Sequence, residues 1–262
     1  MGAYAWGWAE DGRCGIGKKL AIELKQTNFP AELCDFWDAH SHPQRCAAGQ
    51  GHSLFLLPTG DLWACGIGTD GELGVGDITE KLDDDFIPMP LPDRASHGVS
   101  CKAVHRAHRP VKVLFEDGIH ARSVSAGDCN SSNGYAAYSY PPPFAIDPRH
   151  RYAISSLGDL YAWGRGRYGA LGHDDGEQSH TLPTRLQGLK ANTVNRIACG
   201  RWHCVALMSN DQLLTWGRNH CGQIGIGSVS RACTRPVLIE LEPGGGRSPS
   251  VRDVASGIQL SE

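Results

Sequence analysis

The sequence predicts an all-β fold of short strands built from tandem copies of one glycine-punctuated unit. Three observations carry this expectation. Glycine supplies 33 of 262 residues and proline 15, and glycine reaches the positive-φ backbone that tight turns need. A four-glycine spacing recurs along the chain. A second half-motif stands at a fixed distance before it, and no long helical periodicity competes with either.

The spacing is clearest in Trp216-Gly217-Arg218-Asn219-His220-Cys221-Gly222-Gln223-Ile224-Gly225-Ile226-Gly227, which reads G-x4-G-x2-G-x-G. The same rule places Gly66, Gly71, Gly74 and Gly76, and again Gly7, Gly12, Gly15 and Gly17. A further copy has Gly164, Gly169 and Gly172, with Asp174 in the last slot. Each copy follows a short apolar or aromatic strand: Tyr4-Ala5-Trp6, Leu62-Trp63-Ala64-Cys65, Leu160-Tyr161-Ala162-Trp163 and Leu213-Leu214-Thr215-Trp216. Turn signals precede three of these strands, at Thr59-Gly60-Asp61, Leu157-Gly158-Asp159 and Asn210-Asp211-Gln212.

Upstream lies the half-motif A/C-G-x2-H followed by an apolar strand. It occurs at Gly49 with His52 and at Gly200 with His203. Gly49 to Gly66 and Gly200 to Gly217 are both 17 residues, so strand, turn, strand and glycine loop form a fixed hairpin unit. Two copies are degenerate: after Gly127 the histidine slot holds Asn130, and after Gly257 it holds Leu260.

These motifs resemble the RCC1 repeat, the unit of the regulator-of-chromosome-condensation family. The resemblance covers four units, about 1–57, 60–138, 158–209 and 211–262, read as one repeat domain over 1–262. It implies a β-propeller with four-stranded blades around an axis. It also implies structural roles for Gly7, Gly66, Gly164, Gly217, Gly49 and Gly200, and a repeat core that includes Trp6, Trp63, Trp163 and Trp216. His52 and His203 recur in register, which suggests a repeated hydrogen bond from the imidazole to a neighbouring blade. A complete propeller of this family closes with about seven blades. Four units imply a piece of a longer protein, an open arc whose bare sheet edges a partner covers, or a small closed propeller. The expectation is an incomplete arc held in an assembly.

Two insertions break the rhythm. Residues 77–123 replace a short connector and carry Asp83-Asp84-Asp85 and His105-Arg106-Ala107-His108-Arg109, the latter expected in a solvated loop. Residues 131–150 stretch the Gly127–Gly164 interval to 37 residues and carry Tyr135, Tyr138, Tyr140, Pro141, Pro142 and Pro143. Long loops on a rigid scaffold commonly carry function. Tyr138, Tyr140, Pro141, Pro142, Pro143, Arg106 and Arg109 are therefore the candidate partner-binding residues, although the Tyr-Pro run lacks a P-x-x-P frame.

Other chemistries fit less well. Gly66-x-Gly68-x-x-Gly71 and Gly164-x-Gly166-x-x-Gly169 match a dinucleotide fingerprint, but Glu72-Leu73-Gly74-Val75-Gly76 is poor material for the helix it requires. No cofactor is expected. Ten cysteines and twelve histidines contain no C-x2-C pair, so the Cys199/His203/Cys204, His40/His42 and His105/His108 groupings are read without a metal. No G-x-S-x-G or other nucleophile constellation occurs, and the expectation is a protein without catalytic residues. Plant ultraviolet-B receptors, which resemble this repeat family, cluster tryptophans through G-W-R-H-T strings. Here Gly200-Arg201-Trp202-His203-Cys204 occurs once with Trp and Arg exchanged, which argues against a photoreceptor. Asn130-Ser131-Ser132 fits a sequon, but the opening residues show no secretory pattern. The thiols are expected reduced and the chain intracellular. No apolar run is long enough for a membrane span, and a net charge of -3 argues against nucleic acid.

The leading functional expectation is a non-enzymatic interaction scaffold, a subunit of a larger assembly that presents the loops of 77–123 and 131–150 to protein partners. The alternative is a guanine-nucleotide exchange factor for a small GTPase. A chromatin adaptor ranks third.

Overall fold

The computed structural model describes residues 4–9, 12–17, 41–49, 51–68, 71–76, 106–116, 118–126, 150–189, 193–241 and 250–256, apart from the Trp8 side chain. It also describes the backbone of 26–32, 86–89 and 104–105, and positions 19 and 23. The Tyr138–Pro143 candidates and Gly257 lie outside the described residues.

Each repeat folds as an antiparallel meander. Strands β1 (Tyr4–Trp8) and β2 (Gln26–Glu32) pair alone. The next sheet runs β3 (Arg45–Ala48), β4 (His52–Leu56), β5 (Leu62–Gly68), β7 (Val104–Lys112), with β6 (Phe86–Met89) added outside. A third sheet runs β8 (Ala121–Ala126), β9 (His150–Ser155), β10 (Leu160–Gly164), β11 (His180–Arg185). The fourth runs β12 (Val194–Cys199), β13 (His203–Met208), β14 (Leu213–Arg218), β15 (Ala232–Ile239). The sequence unit and the sheet are therefore out of phase. Each unit contributes the outer two strands of one sheet and the inner two of the next, so neighbouring sheets are covalently interlocked.

The turns between the second and third strands are built alike. Gly60, Gly158 and Asp211 donate their backbone N–H three residues back, to Leu57, Ser155 and Met208. All three adopt positive φ, and Asp is among the few non-glycine residues that tolerate it.

The sheets bury their faces against one another. One apolar cluster joins Leu54, Leu56, Leu62 and Ala64 of the second sheet to Ala153, Tyr161 and Trp163 of the third. Another joins Tyr152, Ile154, Leu160 and Ala162 of the third to Cys204, Ala206, Met208 and Trp216 of the fourth. Strands β9 and β10 are buried at every position because both their faces are covered. Among the described residues the sheets do not close into a ring. Trp6, expected in the repeat core, is 66% exposed because no described sheet covers that face of β1, whereas its counterparts Trp163 and Trp216 are fully buried. Trp63 is half-buried.

The first insertion also differs from expectation. Its residues 104–112 form β7, the fourth strand of the second sheet, so Arg106 and Arg109 stand on a strand and not in a solvated loop. Both are half-buried, and His108 between them is buried.

Candidate functional site

The glycine loops stitch each sheet to the next. The backbone N–H of the last loop position donates to the outer strand of the following sheet: Gly17 to His108, Gly76 to Thr181 and Asp174 to Thr234, each at 3.0 Å. The second loop glycine must lie close to that strand. A Cβ on Gly71 would stand 2.5 Å from Thr181 Cα, and one on Gly169 would stand 2.6 Å from Thr234 Cα. The residue after that glycine offers its carbonyl to the next sheet's third strand. Trp163 Nε1 donates to Glu72 O at 3.1 Å, and Trp216 Nε1 to Ala170 O at 3.0 Å. In the second sheet Cys65 occupies the tryptophan slot, and its thiol donates to Arg13 O at 3.5 Å.

Histidines mark the opposite side of the same stitching. His52 lies opposite Gly66 in register, and His203 opposite Gly217. In the third sheet the residue opposite Gly164 is His150. The repeat histidine is thus present and not replaced by Asn130. The insertion between β8 and β9 has carried it downstream, and residue 150 belongs to β9. A sequence signal for this existed: His52–Gly66, His150–Gly164 and His203–Gly217 are all separated by 14 residues.

The three histidines meet different partners. His52 Nδ1 contacts a guanidinium nitrogen of Arg151 in the next sheet. His203 Nε2 and Ser256 Oγ lie 2.9 Å apart. His150 is fully buried, and among the described residues its ring has no side-chain hydrogen-bond partner, only the Gly200 main chain within reach. Burial, then the charge of Arg151 and of His203, hold its pKa down at about 3, so it is a neutral imidazole. Beside it, Cys199 and Cys204 face each other across β12 and β13. Burial is the main cause that drives the Cys204 thiol and the Tyr152 phenol well above their ordinary ranges.

One end of the third and fourth sheets carries a compact cation-aromatic cluster that sequence reading did not single out. Tyr168 adopts left-handed backbone angles (φ 58, ψ 23) inside the 3-10 turn Arg167–Gly169. This geometry turns its ring against Trp202, edge-on at 5.5 Å between centroids. Guanidinium carbons of Arg167, Arg218 and Arg231 lie 4.9, 5.0 and 5.7 Å from the Tyr168 centroid. Glu177 pairs with Arg231 at 2.6 Å. Three cations around one ring with one paired carboxylate leave a positive patch on a rigid aromatic base. The patch arises because loops after third strands and turns after first strands emerge at the same end of a meander. The described end of β8 at Ala126 and the start of β9 at His150 lie at that end too. Arg106 and Arg109 lie on the second sheet and are not part of the cluster.

Among the described residues no helix is long and apolar enough to cross a membrane.

The repeat geometry agrees with comparisons to known proteins. The family model described as the regulator of chromosome condensation (RCC1) repeat matches residues 158–207 and 210–261. The chain is 29% identical over 255 residues to the ultraviolet-B receptor UVR8 of Arabidopsis thaliana, covering 91% of this chain and 54% of the receptor. It is 28% identical over 272 residues to the secretion-regulating guanine nucleotide exchange factor of Mus musculus, covering 97% and 55%. It thus spans about half the length of these two relatives. Among solved structures, Prp20p from Saccharomyces cerevisiae superimposes with a TM-score of 0.62 at 19% identity, over 92% of this chain and 47% of that one, a likeness of fold. With the repeat matched in sequence over residues 158–207 and 210–261 and the sheets alike in space, this part of the chain carries RCC1 repeats, and the chain as a whole resembles RCC1-repeat proteins.

Proposed function

We propose that the chain is a non-enzymatic protein-interaction scaffold whose partner binds the loop end of the third and fourth sheets. The observation that carries this reading is the Arg167, Arg218 and Arg231 cluster around Tyr168. Arginine and tyrosine on a rigid base are the residue types enriched where protein interfaces concentrate their binding energy. The excess of positive charge selects an acidic protein segment, and charge complementarity would set its rate of capture. The Tyr138, Tyr140 and Pro141–Pro143 segment, which lies outside the described residues, is kept in this reading as a further candidate contact because it lies between β8 and β9 in the chain. Arg106 and Arg109 remain a candidate second contact, offered from a strand. The partner belongs to a larger assembly in this reading, and the compartment is intracellular.

The test is affinity purification of the tagged chain beside two variants, Arg167→Glu/Arg218→Glu/Arg231→Glu and a deletion of 131–149, read by mass spectrometry. Loss of a stoichiometric partner from the triple variant supports the assignment. The same partners recovered with wild type and both variants would remove it.

A second reading, a guanine-nucleotide exchange factor for a small GTPase, is favoured by the mouse relative that bears that description. Release of labelled nucleotide from a panel of small GTPases decides it, and no acceleration by the purified chain sinks it.

A further inference from the structure

We propose that His150, Cys199 and Cys204 form a binding site for one thiophilic divalent cation of the zinc type, closed between the third and fourth sheets. The imidazole nitrogen and the two sulfurs lie within 4.8 Å of one another. The fold brings them there by register. His150 opens β9, while Cys199 ends β12 directly opposite Cys204 on β13. Both cysteines are free thiols.

What separates this corner from its two repeat counterparts is the state of the histidine. His52 meets the Arg151 side chain and His203 the Ser256 side chain, whereas the fully buried His150 has no side-chain partner among the described residues and only the Gly200 main chain within reach of its ring. Buried polar groups almost always have partners, because leaving one unmet forfeits its hydration with nothing in return. A cation accepting the imidazole lone pair would supply the partner that no side chain gives His150.

The donor set selects the ion. One imidazole and two thiolates are soft ligands that suit zinc and exclude calcium and magnesium, which take oxygen. Binding Zn2+ releases one proton from each thiol and leaves two thiolates, a neutral imidazole and a divalent ion, a set with no net charge. Neutrality favours a divalent over a monovalent ion in a buried pocket. Three protein ligands leave one tetrahedral position. Ser125 Oγ donates to Cys199 Sγ at 3.3 Å, the kind of outer contact that orients a ligand, and Tyr152 Oη borders Cys204 Sγ at 3.2 Å. The bound ion would clamp β9 to β12 and β13, where the other sheets use a hydrogen bond.

The test uses the full chain, reduced and stripped of metal, in a Cys46→Ser/Cys221→Ser background that removes the two thiols exposed among the described residues. Cobalt is titrated in and then displaced by zinc. The expected result is one Co2+ per chain with a thiolate-to-cobalt charge-transfer band, lost on zinc addition, and at least a tenfold weaker affinity in Cys204→Ser. Because Cys204 is buried, that variant can fail to fold, so X-ray absorption on the zinc-loaded parent provides a second readout. Two sulfurs at about 2.3 Å and a nitrogen at about 2.0 Å from zinc are expected. No charge-transfer band, a band unchanged in a folded Cys204→Ser protein, or a zinc shell without sulfur would each overturn the proposal.

Discussion

The indole N–H of Trp163 donates to the main-chain carbonyl of Glu72, 91 residues earlier, at 3.1 Å. Trp216 and Ala170 repeat the contact one sheet later. The pair joins a third strand to the glycine loop of the preceding sheet, and both tryptophans are fully buried. Replacing Trp163 by Phe keeps much of the apolar volume but leaves Glu72 without its donor and opens a small void. The expected loss is about 2–4 kcal/mol of unfolding free energy, measured by chemical denaturation. A loss below about 0.5 kcal/mol would show that the indole is packing filler.

Gly169 and Gly176 separate close approach from backbone conformation. Both have positive φ, but an added Cβ meets Thr234 Cα at 2.6 Å on Gly169 and nothing within 4 Å on Gly176. Gly176→Ala is expected to cost about 1–2 kcal/mol, the price of the left-handed region alone. Gly169→Ala adds a clash with a neighbouring strand and is expected to cost about 1–3 kcal/mol more. Paired thermal melts test this, and equal midpoints contradict it.

The insertion between β8 and β9 gives a sharp boundary. Deleting 131–149 leaves Ala126 and His150 joined by a short turn like those of the other sheets, and long surface loops add little stability. The melting temperature is expected to stay within a few degrees of wild type. Extending the deletion to residue 150 removes a fully buried strand residue and is expected to lower it clearly.

His173 supplies a pH test away from the proposed metal corner. Burial, then the charge of His180, hold it below its ordinary 6.5, while the Ala162 carbonyl and the charge of Asp175 act the other way. Its Nε2 lies 3.3 Å from Ala162 O, its ring faces His180 at 4.4 Å, and His180 pairs with Asp175 at 2.7 Å. With the folded pKa below the unfolded one, the unfolded chain binds the extra proton as pH drops. The contribution is fully present above about pH 6.5 and is lost as pH falls below that value toward the folded pKa. His173→Gln should therefore reduce the decline in melting temperature between pH 7.5 and 5, and an unchanged decline would contradict it.

The surface cluster should be separable from stability. Arg231 is three-quarters exposed where it meets Glu177, and exposed pairs contribute about 0–1 kcal/mol. Arg231→Ala is expected to leave unfolding unchanged within that range, so any effect of the charge-reversal variants on partner capture reads the surface and not the fold.

Much was legible in the sequence because turns and strands obey local rules. The G-x4-G-x2-G-x-G spacing, the half-motif 17 residues before Gly66 and Gly217, and the turn signals at Gly60, Gly158 and Asp211 located the strands and loops that form. Asp174 was recognisable in a glycine slot and takes the positive φ that slot demands. The missed repeat histidine was also local information: the distance to Gly164 identifies His150, whereas counting forward from Gly127 through an insertion does not.

Other features depend on which sheet covers which. Trp6 and Trp163 occupy the same repeat slot, yet one is exposed and the other fully buried, because burial requires a preceding sheet that only the assembled fold supplies. Arg106 and Arg109 read as a charged loop because charge patterning reports solvent preference, while pairing to β5 makes that segment a strand. The Tyr168 cluster draws Arg167, Trp202, Arg218 and Arg231 from loops of two sheets, and the His150, Cys199 and Cys204 corner joins residues up to 54 apart. The sequence by itself determined the repeat, its turns and its strands, since those follow from neighbours in the chain. Only the tertiary structure decided the cation-aromatic face and the soft-ligand corner, since both arise where one sheet's strand ends meet the next.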